Sequence, residues 1–299
     1  MGVAKMHVGE VDIDGGLVRR LIAAQFPQWA GLSVELVDSA GTSNAMYRLG
    51  GDMVVRLPRM AAAAEDIAKE HVWLPRLAPS LPVAVPTPLG LGKPVEGYPW
   101  PWSVFEWLDG ANPAVGRIDE PVLLACDLAS FVNALNRVDP AGGPAAYRSE
   151  PLAARDGATR AAIAALRGVI DAGHVTAAWD TALRAPGRPG PAVWIHSDLQ
   201  PGNLLVSEGR LSAVIDFGCV GLGDPAVDLI AAWYVLPADV RGVFRSAVGA
   251  DDAAWARGRG WALSVALMEL DYYRDTNPVM AAIARHVISE VLADQARGA

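Results

Sequence analysis

The chain has 299 residues, of which 52% are hydrophobic and 19% are charged, and its formal net charge is −8 at pH 7. This length and apolar content predict a sizeable folded core and exclude a disordered chain. The negative charge argues against nucleic acid or an anionic membrane as the main partner.

Cysteine content and hydropathy indicate the compartment. The two cysteines, Cys126 and Cys219, are too few for a disulfide framework and do not have the spacing of metal ligands. The N-terminal residues contain no long apolar stretch, so no signal peptide is expected. No apolar run reaches the length of about 18 residues that a membrane span needs. We therefore expect a cytoplasmic protein; the sequence does not indicate its oligomeric state.

Hydrophobic periodicity predicts a helix, an antiparallel sheet and a second helix in the first third of the chain. The first helix covers residues 14–26, with Asp14 as its cap. Alternating segments at 32–37, 45–49 and 53–57 predict an antiparallel meander, in which Gly50 and Gly51 form a turn. An alanine-rich helix follows at 62–77, and two further strands are expected at 89–92 and 102–108.

The remainder of the chain is predicted to be mostly helical. Helical periodicity indicates helices at 121–138, 155–170, 175–183, 225–235, 255–274 and 278–296. Three short apolar runs predict strands at 192–195, 204–206 and 211–215. Asp224 precedes Pro225, a pair that is typical of a helix N-cap followed by its first residue.

The turn-rich segment after the strand at 192–195 contains the residues with the clearest chemistry. A hydroxyl-phosphorylating enzyme needs a carboxylate to orient the hydroxyl and accept its proton, and oxygen ligands for magnesium. Asp198 is the candidate base, and Asn203 and Asp216 are the candidate metal ligands. A hairpin between Asn203 and Asp216 can bring these two residues close together. For His196 we expect a structural role, with its ring bonded to nearby backbone.

Three motifs in this region carry a family resemblance. The sequence HSDLQPGN at 196–203 resembles the HxDxxxxN catalytic loop of the protein-kinase superfamily, and IDFG at 215–218 resembles its magnesium-binding motif. GDPAVDL at 223–229 is similar to the aminoglycoside phosphotransferase family, a kinase-like branch that acts on small molecules. The family usually has glycine where this chain has Ser197, so a glycine-only backbone conformation cannot be assumed there.

The resemblance implies a fold and a division of the chain. The fold class is α+β: a two-lobed protein-kinase-like fold with an antiparallel sheet and one main helix in the N-terminal lobe, and a mostly helical C-terminal lobe. Residues 1–108 would form the nucleotide-binding lobe and end in the hinge, and residues 109–299 would form the catalytic and acceptor-binding lobe. ATP is the default nucleotide, with GTP possible, and Mg²⁺ is the implied metal. By resemblance, Asp228 stabilises the catalytic loop.

The same resemblance assigns the phosphate-binding residues. Arg56, on the third strand, would hold nucleotide phosphates where protein kinases use lysine, with Arg59 as its competitor. Glu70 is the expected partner of Arg56, and Glu65 is the alternative. The small polar loop at 38–44 would let backbone N–H groups approach phosphates. Its proposed contacts are Ser39, Gly41, Thr42 and Ser43.

The hinge and the acceptor wall complete the expected site. Backbone groups around Glu106, Trp107 and Leu108 would bind a purine base, with Val55 and Ile215 as apolar walls. Candidate acceptor contacts lie near the C-terminus, where acidic side chains would suit a cationic aminoglycoside and an aromatic one would suit a macrolide. These candidates are Glu269, Asp271, Asp275 and Trp233, and Asp271 and Asp275 would share one helix face.

The predicted function is transfer of the γ-phosphate of ATP or GTP to a hydroxyl of a small molecule, an aminoglycoside-type or macrolide-type antibiotic. The five residues between Gly218 and Asp224 are too few for a platform that binds a protein substrate. One alternative is a metabolic kinase for choline, homoserine or a sugar-like acceptor, which would share every catalytic residue. The other is a nucleotide-binding module without activity.

Overall fold

The computed structural model of this chain describes residues 11–37, 43–95, 97–114 and 117–297. Within these ranges, no helix combines the length and the apolar character needed to cross a membrane. The described residues form two compact units. The first lies within Met1–Pro79, Ala84–Gly110 and Ala213–Gly218, and the second within Ser80–Val83, Ala111–Ser212 and Cys219–Ala299. The division of the chain after residue 108 stays a prediction.

The first unit contains two helices and a five-stranded sheet. Its helices are α1 (Gly15–Gln25) and α2 (Ala61–Leu77), and its strands are β1 (Val34–Leu36), β2 (Asn44–Leu49), β3 (Met53–Pro58), β4 (Pro88–Gly92) and β5 (Trp102–Glu106). The strand order is β1-β2-β3-β5-β4, and every neighbouring pair is antiparallel. The predicted meander of the first three strands is confirmed.

Local sequence signals explain the first elements of this unit. The carboxylate of Asp14 accepts the backbone N–H of Leu17 at 2.7 Å, so the predicted cap of α1 is confirmed. Gly50 has φ +61° in the turn between β2 and β3, a conformation that glycine adopts without steric cost. Residues of α1 and of the sheet form the hydrophobic core of this unit. Tyr47 and Trp102 are among its fully buried side chains.

The second unit is mostly helical. Its helices are α3 (Pro121–Asn136), α4 (Asp156–Ala165), α5 (Ala172–Leu183), α6 (Ala231–Tyr234), α7 (Arg241–Val248), α8 (Asp252–Tyr273) and α9 (Pro278–Arg297). Two short pairs of strands complete it, β6 (Val193–Ile195) with β9 (Gly221–Gly223) and β7 (Leu204–Ser207) with β8 (Arg210–Val214). The last two residues of β8, Ala213 and Val214, belong to the first unit.

Three helix predictions in the second unit need correction. Helix α4 ends at Ala165 rather than at residue 170, because Gly168 takes a left-handed conformation with φ +87°. The helix predicted at 225–235 is a 3₁₀ segment, Pro225–Ile230, followed by α6, and Asp224 caps it as expected. Helix α8 ends at Tyr273, so Asp275 lies beyond it and does not share a helix face with Asp271.

Close packing between β4 and β5 generates a stability prediction. A Cβ atom at Gly92 would lie 2.0 Å from Cε2 of Trp102, whose side chain is fully buried. Gly92→Ala should therefore lower the free energy of unfolding by about 1–3 kcal/mol, because the indole must move within a packed core. Gly51→Ala is the matched control, since its Cβ would meet no atom within 4 Å. Urea denaturation should separate the two variants, and equal midpoints would contradict the prediction.

Candidate active site

The catalytic-loop segment begins where β6 ends at Ile195. It continues to the 3₁₀ turn Pro201–Asn203, which leads directly into β7. The side-chain amide of Asn203 reaches back across this turn and donates to the backbone oxygen of Asp198 at 2.8 Å and to its Oδ2 at 2.9 Å. The structure thus brings together the predicted base and one predicted metal ligand through two hydrogen bonds within the loop.

The other carboxylate oxygen of Asp198 has two further donors. Arg148 Nη1 lies 3.1 Å from Oδ1, and Gln200 Nε2 also lies 3.1 Å from it. The Asp198 side chain remains 23% exposed. Three donors therefore hold this carboxylate in one orientation while part of it stays accessible to a bound molecule.

A fully buried carboxylate stabilises the backbone of this loop. Asp228 accepts the N–H of His196 at 2.8 Å through Oδ2 and the N–H of Ser197 at 2.7 Å through Oδ1. Burial raises the pKa of Asp228 to about 7, although these two hydrogen bonds act in the opposite direction. The predicted contact of Asp228 with the catalytic loop is present. His196 is also buried, and its Nδ1 accepts the N–H of Asp198 at 3.3 Å, in line with the structural role predicted for it.

Two residues of the motifs have left-handed backbone conformations. Ser197 has φ +73°, so the loop adopts the conformation that glycine favours although a serine occupies the position. Asp216 has φ +60°, a region that Asp enters more readily than most residues. Both positions lie in segments that the sequence assigned to catalysis, whereas a third such residue, Glu208, lies in the turn between β7 and β8.

An ion-pair cluster in the first unit contains the predicted phosphate-binding arginine. Arg56 Nη1 lies 2.8 Å from Oε1 and 3.0 Å from Oε2 of Glu70, and Arg56 Nη2 lies 3.1 Å from Oδ1 of Asp216. Burial opposes the charge of Arg56, but Glu70 and Asp216 outweigh it and raise the pKa of the guanidinium above its ordinary value. The partner of Arg56 is therefore Glu70 and not Glu65.

The remaining nucleotide-side predictions have different outcomes. Ser39, Gly41 and Thr42 lie outside the described residues, and Ser43 accepts the N–H of Arg59 through its backbone oxygen at 3.0 Å. In the segment predicted to form the hinge, the N–H groups of Glu106 and Trp107 donate to the carbonyls of Thr87 and Asp52 at 2.9 and 2.8 Å. Leu108 follows the end of β5 and is half-buried, as is Ile215 after β8.

One of the four predicted acceptor contacts, Trp233, needs correction, and a second, Glu269, belongs to a hydrogen-bonded network. Trp233 is fully buried and packs against Trp255 with ring centroids 4.7 Å apart, so it belongs to the core. Glu269 uses both oxygens within the unit: Oε1 accepts Gln200 Nε2 at 2.6 Å, and Oε2 accepts the Tyr234 hydroxyl at 2.7 Å. Its partner Gln200 also contacts Asp198, the predicted base, and the acceptor contact of Glu269 stays a prediction.

The other two acceptor candidates lie at the end of α8. Asp271 is half-buried and Asp275 is exposed. Their carboxylates lie 3.9 and 3.4 Å from nitrogens of Arg274. Such surface pairs are weak, so both carboxylates can exchange this arginine for another cation.

Comparisons with known proteins identify the family. The model of the phosphotransferase enzyme family, APH, matches residues 36–261, which is more than half of the chain. The chain belongs to the phosphotransferase enzyme family. The resemblance inferred from HSDLQPGN, IDFG and GDPAVDL is thereby confirmed. A comparison with curated protein sequences found no significant match.

Solved structures of phosphotransferases share the fold. The GDP complex of wild-type aminoglycoside 2'-phosphotransferase-IIIa is 22% identical, with a TM-score of 0.74 over 95% of this chain and 100% of that chain. Macrolide 2'-phosphotransferase MphH from Brachybacterium faecium is 24% identical, with a TM-score of 0.60 over 92% and 97%. The streptomycin-ATP-APH(2")-IIa ternary complex is 15% identical, with a TM-score of 0.61 over 95% and 97%. At these identities the likeness shows the fold alone, and the predicted kinase-like α+β class is confirmed.

Sequence reasoning missed three residues around Asp198, the predicted base. Gln200 lies inside the HSDLQPGN motif, and its position two residues after Asp198 could have indicated a contact. Tyr234 carries no local signal that distinguishes it from a core aromatic residue. Arg148 carries no local signal, because it lies in the loop between α3 and α4, far from Asp198 in the sequence.

The Asp228 contacts predict the effect of an amide substitution. In Asp228→Asn, an NH₂ group replaces one acceptor oxygen and faces a backbone N–H. At about pH 8, where the parent carboxyl is ionised, the variant should lose about 1–3 kcal/mol of unfolding free energy. Asp239→Asn is the control, because Asp239 is exposed. Urea denaturation of both variants provides the measurement, and equal losses would argue against a specific role of Asp228.

Glu269 generates a pH-dependent prediction. Burial raises its pKa from 4.5 to about 7, against the hydrogen bonds from Tyr234 and Gln200. Between these values the native protein holds a proton that the unfolded chain has lost, so the free energy of unfolding falls as the pH rises, by at most about 1.4 kcal/mol per pH unit from this group. Glu269→Gln should remove this contribution.

The measurement is the urea midpoint of the parent and of Glu269→Gln at several pH values across that window. Asp228 contributes a slope of the same sign to both proteins, so the difference between the two curves isolates Glu269. Curves that stay parallel from about pH 4.5 to 7 would show that the carboxyl of Glu269 is not the titrating group.

Proposed function

We propose that this protein transfers the γ-phosphoryl group of a nucleoside triphosphate to a hydroxyl group of a small molecule. Membership of the phosphotransferase enzyme family supports this reaction class. The observation that carries the proposal is the carboxylate of Asp198, which Asn203, Gln200 and Arg148 hold in one orientation while it remains partly exposed. A base that orients a hydroxyl requires this combination of rigidity and access.

Asp198 is the proposed catalytic residue. It would accept a hydrogen bond from the acceptor hydroxyl and take its proton late in the reaction, because the phosphoryl transition state is loose and requires little base strength. Its contacts with Asn203 and with the loop backbone support this role, since they limit rotation of the side chain.

Arg56, Glu70 and Asp216 form the proposed phosphate-binding group. The guanidinium of Arg56 always carries a charge and can hold phosphate oxygens in a fork. Glu70 is fully buried and accepts hydrogen bonds from Arg56 Nη1 through both oxygens, so it fixes the position of the arginine. Ser39, Gly41, Thr42 and Ser43 remain proposed contacts of the phosphates through their backbone.

Asn203 and Asp216 are the proposed magnesium ligands. Asn203 uses its side-chain nitrogen toward Asp198, which keeps its oxygen for a cation, and Asp216 uses one carboxylate oxygen toward Arg56. Amide and carboxylate oxygens suit Mg²⁺, so these residues fit the ion. When bound, Mg²⁺ would offset the negative charge of the nucleotide phosphates.

The proposed purine contacts lie after β5. Because the N–H groups of Glu106 and Trp107 already donate to Thr87 and Asp52, we assign the purine-binding N–H to Leu108. Val55 and Ile215 remain the proposed apolar walls. Two of the similar proteins described above were solved with a nucleotide, one with GDP and one with ATP. ATP stays the default nucleotide, and GTP stays possible.

The proposed acceptor is an aminoglycoside-type or macrolide-type molecule. Phosphotransferases with a similar fold act on aminoglycosides and on macrolides by name. Of the predicted acceptor residues, Glu269, Asp271 and Asp275 remain proposed contacts for a cationic acceptor. A cytoplasmic location and a boundary between the two lobes after residue 108 remain parts of the same proposal.

Substitution of the base tests the mechanism. Asp198→Ala should reduce phosphoryl transfer by at least about 100-fold, because general-base catalysis and orientation are both lost. Nucleotide affinity should stay within about twofold of the parent, since Arg56, Glu70 and Asp216 are unchanged. Transfer is measured with labelled nucleotide, and affinity by calorimetry. Near-parental turnover in this variant would refute the assignment of the base.

An acceptor panel tests the function itself. Magnesium-dependent nucleotide turnover is measured with aminoglycosides, macrolides, choline, homoserine and simple sugars. Turnover with an antibiotic supports the proposal, and turnover only with choline, homoserine or a sugar favours a metabolic kinase. Tight nucleotide binding without turnover on any acceptor would identify a catalytically silent module and overturn the proposed reaction.

A further inference from the structure

Arg148 donates two hydrogen bonds to Ser197 beside the proposed base. The backbone N–H of Arg148 donates to the Ser197 hydroxyl at 3.2 Å, and Arg148 Nη1 donates to the backbone oxygen of Ser197. The same Nη1 donates to Oδ1 of Asp198 at 3.1 Å. The serine that replaces the usual glycine of the family is therefore connected to the guanidinium that contacts the base.

Counting acceptor sites shows what these contacts do to Asp198. A carboxylate oxygen accepts about two hydrogen bonds. Oδ1 already accepts one from Arg148 and one from Gln200, whereas Oδ2 accepts one from Asn203. Among the contacts of the described residues, Oδ2 is thus the oxygen that retains capacity for a further donor.

The environment of Arg148 favours a fixed position. Its side chain is only 11% exposed. Burial opposes its charge, but Asp198 and the neighbouring Glu269 outweigh that cost and raise the pKa of the guanidinium above its ordinary value. A buried arginine with its charge compensated in this way loses little additional freedom when the site is occupied.

We infer that Arg148 is a positioning residue for phosphoryl transfer: together with Ser197 it holds Oδ1 of Asp198, so that Oδ2 faces the acceptor hydroxyl. This inference rests on the proposed function. In the step itself, the acceptor oxygen forms a bond to the γ-phosphorus, and the bond from that phosphorus to the bridging oxygen breaks. The hydroxyl proton passes to Oδ2 of Asp198, and the nucleoside diphosphate leaves with the bonding electrons.

The Ser197 hydroxyl has a defined part in this arrangement. It accepts the backbone N–H of Arg148, which fixes the loop between α3 and α4 at the residue that carries the guanidinium. Glycine at position 197 would relieve the left-handed backbone but would leave this N–H without its acceptor. The serine therefore supplies a contact that glycine could not make, although its backbone is in the left-handed region.

The experiment compares variants at both positions with a control arginine. Arg148→Met removes the donors and the charge while keeping the length of the side chain, and Arg148→Lys keeps the charge and one donor group. Ser197→Ala removes the hydroxyl, and Ser197→Gly also relieves the backbone. The control is Arg160→Met, because Arg160 in α4 makes ion pairs with Asp156 and Asp180 on the exposed surface.

The expected results separate positioning from a general loss of structure. Arg148→Met should lower kcat by roughly 10- to 100-fold, the effect of a lost charge-assisted hydrogen bond, with both KM values within about twofold. Arg148→Lys should recover part of this loss, and Ser197→Ala and Ser197→Gly should each lower kcat by roughly 3- to 10-fold. Arg160→Met should match the parent.

Each remaining outcome decides the inference. Parental kcat in Arg148→Met, with Asp198→Ala inactive, overturns the role of Arg148 and leaves the proposed function intact. If Arg148→Met does not fold, Ser197→Ala and Ser197→Gly decide the matter, and parental kcat in both overturns the inference. The inference is also overturned if kcat falls in Arg148→Met and falls by the same factor in Arg148→Lys. An inactive parent on every acceptor of the panel overturns both proposals.

Discussion

The buried carboxylate of Asp228 accepts the backbone N–H groups of His196 and Ser197, and the conformation of the catalytic loop depends on this interaction. A buried N–H without a hydrogen-bond acceptor costs about 1–3 kcal/mol of stability. Residues in a loop after a strand have no neighbouring strand whose carbonyl groups could accept their N–H groups. Because Asp228 satisfies both groups, the chain can turn through a left-handed conformation at Ser197 immediately after β6. Asp198 then follows with its carboxylate available to other donors.

Charge compensation is the second constraint, and it operates within each unit. In the first unit, buried Arg56 contacts Glu70 and Asp216, and in the second unit Arg148 contacts Asp198. Buried pairs of this kind add little net stability, but removal of one partner leaves an uncompensated charge. Their value therefore lies in orientation: each places a functional group in one position before any ligand binds.

Residues with strong local signals were predictable from the sequence. Asp14 and Asp224 combine a capping side chain with a following apolar run or proline, and both cap helices in the structure. Other features depend on tertiary packing. The apolar pattern continues beyond Ala165, but Gly168 ends the helix, and the aromatic spacing around Trp233 fits a core and an acceptor wall equally well. The contact of Arg148 with Asp198 leaves no pattern at all in the sequence.

The hydrogen bonds of Glu269 bear on how this protein would recognise a cationic acceptor under the proposed function. Each of its oxygens accepts one short hydrogen bond, from Gln200 or from Tyr234, and Gln200 in turn contacts Asp198. A carboxylate oxygen accepts about two hydrogen bonds, so each oxygen of Glu269 keeps capacity for an ammonium group without loss of either donor. Such an ammonium group would lie beside the proposed base, because Gln200 connects Glu269 to Asp198. Asp271 differs from Glu269 in that its partner is an arginine on the surface, which another cation can replace easily.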